Sequence, residues 1–444
     1  MTWGGSIVQQ RSGGRNGVRV RRARWRAASA VIVIVAAATA CGGGDGGVPT
    51  LTWWINPDPN PPEGFEGAFG QAGLAERCST DQYKIEIELL PGNASEQRIQ
   101  LARRLAADDS SIDLMSLDPP FMAEFAAAEF LEPFPADLQE RLSEGVLQGA
   151  IDGATWDGQL VVAPLWANTQ VLWYRKSLAD AAGLDMTQPV TWDQIIQGMS
   201  EVGATVGVQG NKYEGYVVLI NALMQGAGGQ ILVGQGEDAT VELNSDAGRD
   251  AARIISELAH SPAAQADLSV SNEGTVTVYF GDDPGAFIVN WTYVYNNFRD
   301  TPVLDDIGWA RYPQTVEGEE SRPPIGGINV GVGAFSSHTA EALAAVECIT
   351  SEEQQIIYAI DTANMPARSA AYDDPGLTEQ FPADLLALYQ ESIESAGPRP
   401  ASPFWSTIVN AILAEWHPAN GVTEATPEES NDFVQDVLNG EALT

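Results

Sequence analysis

Residues 83–118, YKIEIELLPGNASEQRIQLARRLAADDSSIDLMSLD, hold a strand, a helix and a second strand in one run. From Tyr83 to Leu90 the apolar Ile85, Ile87 and Leu89 alternate with Glu86 and Glu88, the period of two that marks a half-buried strand. Asn93 and Glu96 stand at capping-box spacing ahead of Ile99, Leu101, Ala102 and Leu105, which predicts a helix running to about Ala107. Ile112–Leu117 is then a short buried strand, and Asp118 follows it directly.

The same alternation extends upstream. Leu51–Ile55 is β-prone and is stopped by Pro57, Asp58, Pro59, Pro61 and Pro62, after which Phe65, Phe69 and Leu74 recur near helical spacing up to Cys78. Strands alternating with helices predict βαβ units, an α/β fold and a mainly parallel sheet. In such sheets ligands lie beyond the carboxyl ends of the strands. Asn56 and Asp118 each follow a strand end, so both are expected to face one cleft.

Downstream, a helix around Met122–Phe130 ends at Glu132-Pro133. Leu160–Pro164 then leads through Leu165–Gln170 to a new strand at Val171–Tyr174. From Pro189 the pattern turns helical, with Trp192, Ile195 and Ile196, then Tyr216–Leu223. Ile328–Ala334 reads as a further strand after Gly326-Gly327. About 400 residues exceed what one core supports, so two lobes are expected, each a mainly parallel sheet flanked by helices with the cleft between them. Residues 48–165 with 292–348 would form the first lobe, and 166–291 with 349–444 the second.

The amino terminus is a separate matter. Seven arginines from Arg11 to Arg26 precede an apolar run from Ala30 to Ala40, too short to span a ~30 Å hydrocarbon core but suited to a cleaved export signal. Ala38-Thr39-Ala40-Cys41 resembles a lipobox, with Ala38 where leucine is usual. Residues 1–40 read as a lipoprotein signal peptide, Cys41 as the lipidated residue and 41–47 as a Gly-rich tether to the outer face of the membrane. A plain secretory signal cut near Ala40 is the alternative. With Cys41 acylated, Cys78 and Cys348 remain as an even pair in an oxidising compartment, and a disulfide between them is expected.

The chain carries a net charge of −37, and all seven arginines of the signal leave with it, so the exported protein is more acidic still. Such a surface repels nucleic acid. The three histidines, His260, His338 and His417, stand far apart and fit no zinc spacing. No nucleophile elbow is present, and Gly331-Val-Gly333 lacks the third glycine of a dinucleotide motif. Neither metal nor cofactor is expected. Asp113 and Asp118 are the nearest carboxylate pair, but their spacing puts them on opposite faces, with Asp113 a strand-edge or capping acid. Asp118, fixed before Pro119-Pro120, is either a ligand contact or a helix N-cap. Of twelve tryptophans, Trp291 stands out at a strand end beside Asn290, and Trp166 near Asn168 comes second.

Residues 112–134 (IDLMSLDPPFMAEFAAAEFLEPF), 163–178 (APLWANTQVLWYRKSL) and 287–291 (FIVNW) resemble the extracellular sugar-binding proteins of ABC importers, the maltose-binding class. More narrowly, 95–105 (SEQRIQLARRL), Asn168-Thr169-Gln170, Gly326-Gly327-Ile328-Asn329 and Pro398-Arg399-Pro400 are similar to the trehalose-binding lipoproteins of trehalose-recycling importers. The resemblance implies a type II periplasmic-binding-protein fold and a binder, not an enzyme, that hands a disaccharide to the transmembrane subunits of a permease. It implies sugar contacts from Asp118, Asn168, Glu273 and Arg399, stacking on Trp291, and close backbone approach at Gly327. Glu96 and Asn56 complete the expected ligand set. Read without the resemblance, Glu273 is equally a surface turn acid and Arg399 a surface ion-pair partner. A short connection between Trp291 and Gly326 departs from the trehalose pattern. Another oligosaccharide, a peptide or polyamine, and a surface glycoside hydrolase are the competing readings.

Overall fold

The computed structural model describes residues 47–58, 66–92, 94–234 and 239–444. The expected signal peptide, Cys41, nearly all of the tether, the Pro59–Pro62 turn, Phe65 and Asn93 lie outside the described residues. Val48–Thr444 forms one compact unit.

Strand β1 (Thr50–Ile55), β2 (Lys84–Leu89) and β3 (Leu114–Leu117) are parallel, with β1 between the other two. Helices Gly70–Cys78 and Ala94–Leu105 make the two crossovers. β3 is buried along its whole length and Trp53 of β1 is fully buried, whereas the edge strand β2 is largely exposed.

The rest of the topology departs from the expectation. Besides two short hairpins, β4 (Thr155–Trp156) with β5 (Gln159–Leu160) and β8 (Leu232–Val233) with β9 (Thr240–Val241), the chain adds β6 (Ala163–Arg175), β7 (Thr205–Gly207), β10 (Gly285–Trp291), β11 (Ile307–Ala310) and β12 (Ile325–Val332). The main sheet runs β2-β1-β3-β12-β6-β10-β7, with β11 also on β6. β12 is antiparallel to both β3 and β6, and β10 and β11 are antiparallel to β6. The sheet is therefore mixed. β6 and β12 return across the molecule as long strands instead of closing βαβ units, so the local alternation around residues 50–118 does not extend to them.

β6 is one continuous strand of 13 residues, not a short lead followed by a new strand at Val171. Its first half pairs with β12 and its second half with β10 and β11. It is thus the spine that the two lobes share. The expected lobe borders shift accordingly. β11 lies beside Leu172–Arg175 in the second half of the sheet, although residues 292–348 were assigned to the first lobe. Conversely, helix Glu352–Thr362, assigned to the second, sits against Gly70–Cys78: Arg77 Nε donates to Gln354 Oε1 at 2.6 Å and Gly70 N–H to Asp361 Oδ2 at 3.3 Å. Cys78 and Cys348 are joined in the same region, with Cα atoms 5.8 Å apart.

Four passes of the chain are laced where the lobes meet. Asn168 Oδ1 accepts from both the N–H and the hydroxyl of Thr292, at 3.2 and 2.8 Å, and the Thr292 hydroxyl also reaches the Ala363 carbonyl. Ala167 N–H donates to Met365 O, and Thr169 Oγ1 to Pro324 O. Among the described residues no helix is long and apolar enough to cross a membrane.

Candidate functional site

A cavity of about 380 Å³ opens at the carboxyl ends of β1 and β3, against the middle of β6 and the end of β10. Asn56, Asp118, Asn168, Glu273, Trp291, Gly327 and Arg399 all line it. One expected contact does not. The wall includes Ala94 and Ser95, while Glu96, in the first turn of helix Ala94–Leu105, is exposed.

Local structure fixes each group. Asp118 begins the 3₁₀ turn Pro119–Phe121, yet its side chain makes no capping bond, so the carboxylate is left to the cavity. Asn56 is held from behind: Gln71 Nε2 donates to its backbone carbonyl at 2.9 Å, and Gln71 Oε1 accepts from Ser116 at 2.7 Å. Asn168 gives its Oδ1 to Thr292 and to its neighbour Thr169, so its Nδ2 is the group left for a ligand. Glu273 is the first residue of helix Glu273–Gly281, whose capping box joins Asn272 and Thr275. Asp113 lies elsewhere, buried and bonded to Thr52 N–H, Ser336 and His338.

Two adjacent glycines shape the platform. At Gly326 a Cβ would stand 2.8 Å from the Trp291 ring, so the indole rests on bare backbone. Gly327 has φ +120°, and its Cβ would meet the Trp166 carbonyl at 2.2 Å. Its missing side chain makes room for the neighbouring strand, and the residue also lines the cavity. Trp166 is 6% exposed and stacks on Tyr358 with centroids 4.8 Å apart, which makes it mostly core.

Arg399 is the electrostatic centre. It is buried, not a surface ion-pair partner, and its guanidinium donates to Glu214 Oε1 at 2.7 Å, Ile325 O at 3.0 Å and Asp118 Oδ1 at 3.4 Å. Burial opposes its charge, but Glu214 and Asp118 outweigh that, and its pKa is raised. Burial also pushes the Asp118 carboxyl up to about 7, against the pull of Arg399 and helped by the negative charges of Glu214 and Glu273. Glu273 is raised as well, first by burial and then by Glu214, with the Tyr213 hydroxyl and Trp291 indole opposing.

A carboxyl whose folded pKa exceeds its unfolded value binds more protons when folded, so it weakens the fold as pH rises between the two values. The Asp118 contribution is therefore least unfavourable near pH 4 and fully unfavourable above about pH 7. Ligand-free protein should gain stability from this group as pH falls from 8 to 5. Asp118→Asn should show a flatter pH dependence in thermal melts over that window, and equal slopes would refute the assignment.

Glu214, Tyr213, Tyr293 and Asn364 also line the cavity and were not singled out from sequence. Glu214 opens helix Glu214–Gly226, where an acid is an ordinary complement to the helix dipole. Its only distinguishing signal is the aromatic pair around it, Tyr213 and Tyr216. Among the described residues no cluster of His, Cys, Asp and Glu is arranged to hold a metal.

The sequence profile of a family described as bacterial extracellular solute-binding protein matches residues 59–356. A probable ABC transporter-binding protein of Deinococcus radiodurans is 25% identical over 321 residues, 67% of this chain and 72% of its own. A mannitol-binding protein of Pseudomonas aeruginosa is 29% identical over 98 residues, 22% of either chain. Among solved structures, the maltose-bound MalE3 of T. maritima superposes with a TM-score of 0.71 at 23% identity, over 89% of this chain and 99% of that one. The GacH receptor of Streptomyces glaucescens, solved unliganded and with acarbose, gives 0.69 at 19%, over 89% and 98%. These likenesses establish the two-lobed fold.

Proposed function

The chain belongs to the bacterial extracellular solute-binding protein family, and from that membership we propose that it captures a disaccharide, trehalose first among the candidates, and delivers it to an ABC permease. Lipid on Cys41 would hold it at the outer face of the membrane, since two acyl chains suffice for stable anchoring. No bond is made or broken in this account. The ligand selects the closed arrangement of the lobes by its differential affinity for it.

The observation that carries the reading is the composition of the 380 Å³ cavity: an indole face at Trp291 beside the carboxylates of Asp118 and Glu273, the Arg399 guanidinium and the Asn168 amide. Flat aromatic surface suits the C–H faces of a pyranose. Ionised groups hold hydroxyls through charge-assisted bonds, roughly twice as strong as neutral ones. Relatives described as binding maltose and mannitol support a polyhydroxylated solute. The volume suits a small solute, since such sites run to about 300–1,000 Å³.

A thermal-shift screen of the purified protein against trehalose, maltose, sucrose, glucose, mannitol and spermidine tests this. Ligand at 100 times Kd stabilises by about 2.7 kcal/mol. Trehalose should raise the midpoint, and Trp291→Ala should abolish the shift at the same concentration. A shift with another sugar alone replaces trehalose while keeping the site. A shift with spermidine alone overturns the sugar reading in favour of a cation bound by the three carboxylates.

A further inference from the structure

Trp291 is flanked in the chain by two polar residues, Asn290 and Thr292, that are both 0% exposed, and neither lines the cavity. Each reaches past the indole to a different group that does. The Asn290 amide is fully used. Its Oδ1 accepts from the Trp291 N–H at 2.9 Å and from Gln209 Nε2 at 3.3 Å, while its Nδ2 donates to the Glu273 carbonyl at 3.0 Å and to Thr277 Oγ1 at 2.9 Å. The partners dictate this orientation, because the Trp291 N–H only donates and the Glu273 carbonyl only accepts. The end of β10 is thereby pinned to the first turn of helix Glu273–Gly281.

Thr292 works towards the other side. Its N–H and its hydroxyl both go to Asn168 Oδ1, which also accepts from the Thr169 N–H at 2.9 Å. Three donors on one oxygen turn the Asn168 Nδ2 away from them, so it meets a ligand as a donor only. Tyr389 holds the arrangement from behind, donating to the Thr292 carbonyl at 2.8 Å.

We propose that Asn290 and Thr292 are positioning residues that set the Glu273 carboxylate and the Asn168 amide at fixed distances from the Trp291 indole, so that the cavity selects a ring whose edge groups match that spacing. This rests on the sugar-binding reading above. A ring stacked on a flat indole is free to slide, and only hydrogen bonds at its edge fix where it stops. Those bonds weaken steeply with misalignment, so the groups making them must be held to within about 0.5 Å. Three consecutive residues leave no slack between the stacking surface and the two anchors. Both anchors are saturated and buried, where a half-satisfied polar web would be costly.

Calorimetric titration of the full chain with trehalose and maltose tests the proposal, with thermal melts to confirm that each variant folds. Asn290→Asp is nearly isosteric: ionised, it cannot donate to the Glu273 carbonyl, and protonated, it donates again. Asp118, Glu214 and Glu273 titrate or carry charge in the parent too, so each variant is compared with the parent at the same pH. Relative to the parent, Asn290→Asp should bind roughly tenfold more weakly at pH 9, about the effect of one lost buried hydrogen bond, and recover most of that at pH 5. Asn290→Leu should be weak at both. Thr292→Val, which loses the hydroxyl, should bind roughly tenfold more weakly, and Thr292→Ser, which keeps it, should bind like the parent. Parent-like binding by Asn290→Leu and Thr292→Val overturns the positioning role alone. So do equal losses in Thr292→Val and Thr292→Ser, or an Asn290→Asp deficit that does not change with pH, since those mark a role in folding only. Silence of the parent with both sugars overturns the disaccharide reading and this assignment with it.

Discussion

Arg399→Met is expected to abolish sugar binding and to destabilise the protein by about 3–5 kcal/mol, the usual consequence of stripping one partner from a buried ion pair. The reason is the asymmetry of the cluster. Arg399 is 6% exposed and is the cation held between Glu214 and Asp118. Without it the Glu214 carboxylate, 9% exposed, loses the guanidinium it accepts from. Urea unfolding at pH 8 measures the loss. The deficit should shrink at pH 5, because the neighbouring Asp118, already raised to about 7, takes up a proton there. Glu214→Gln combined with Arg399→Met should recover much of the stability and none of the binding, since matched removal of a buried pair is often near neutral. A single variant within about 1 kcal/mol of the parent would show that the cluster is solvated and idle.

Replacing Cys78 and Cys348 by serine is expected to cost roughly 5 kcal/mol on the chain-entropy model, because the bridge closes a loop spanning 270 positions. The bridge ties helix Gly70–Cys78, packed on β2, to helix Thr339–Ile349, packed on β12. Its loss should lower the guanidinium chloride midpoint while leaving the affinity for sugar nearly unchanged, since neither cysteine lines the cavity. A shift below about 1 kcal/mol would mean that the reduced unfolded chain is already restrained.

The sequence made part of this site legible for reasons that can be named. Asn56 and Asp118 follow short strands with clear periodicity, and strand ends in α/β folds are where ligands gather. Trp291 announced itself as a large aromatic at the end of an apolar strand. Arg399 had no such signal: only its resemblance to a family motif singled it out, because the loop between prolines carries no periodicity. Glu214 was hidden by the commonplace role of acids at helix starts. Asn168-Thr169-Gln170 interrupts an apolar run, and the interruption reads as a break between strands. In the structure these polar side chains instead lace a continuous strand to Thr292 and Pro324. The mixed sheet was missed for a related reason: β12 and β6 pair across more than 150 positions, and no local pattern reports such distant partners.

That lacing also sets how the two halves can move. Ladder bonds on both halves of β6 fix its register against β12 on one side and β10 on the other, so sliding of one lobe along the other would break a row of bonds at once. The bonds joining Asn168, Thr292 and Ala363, with those from Ala167 to Met365 and Thr169 to Pro324, bind the other passes to the same point. What remains is flexion about one axis through the middle of β6, a single rotational degree of freedom. Asn168 and Trp291, which line the cavity, stand directly on that axis, so its walls there turn without travelling.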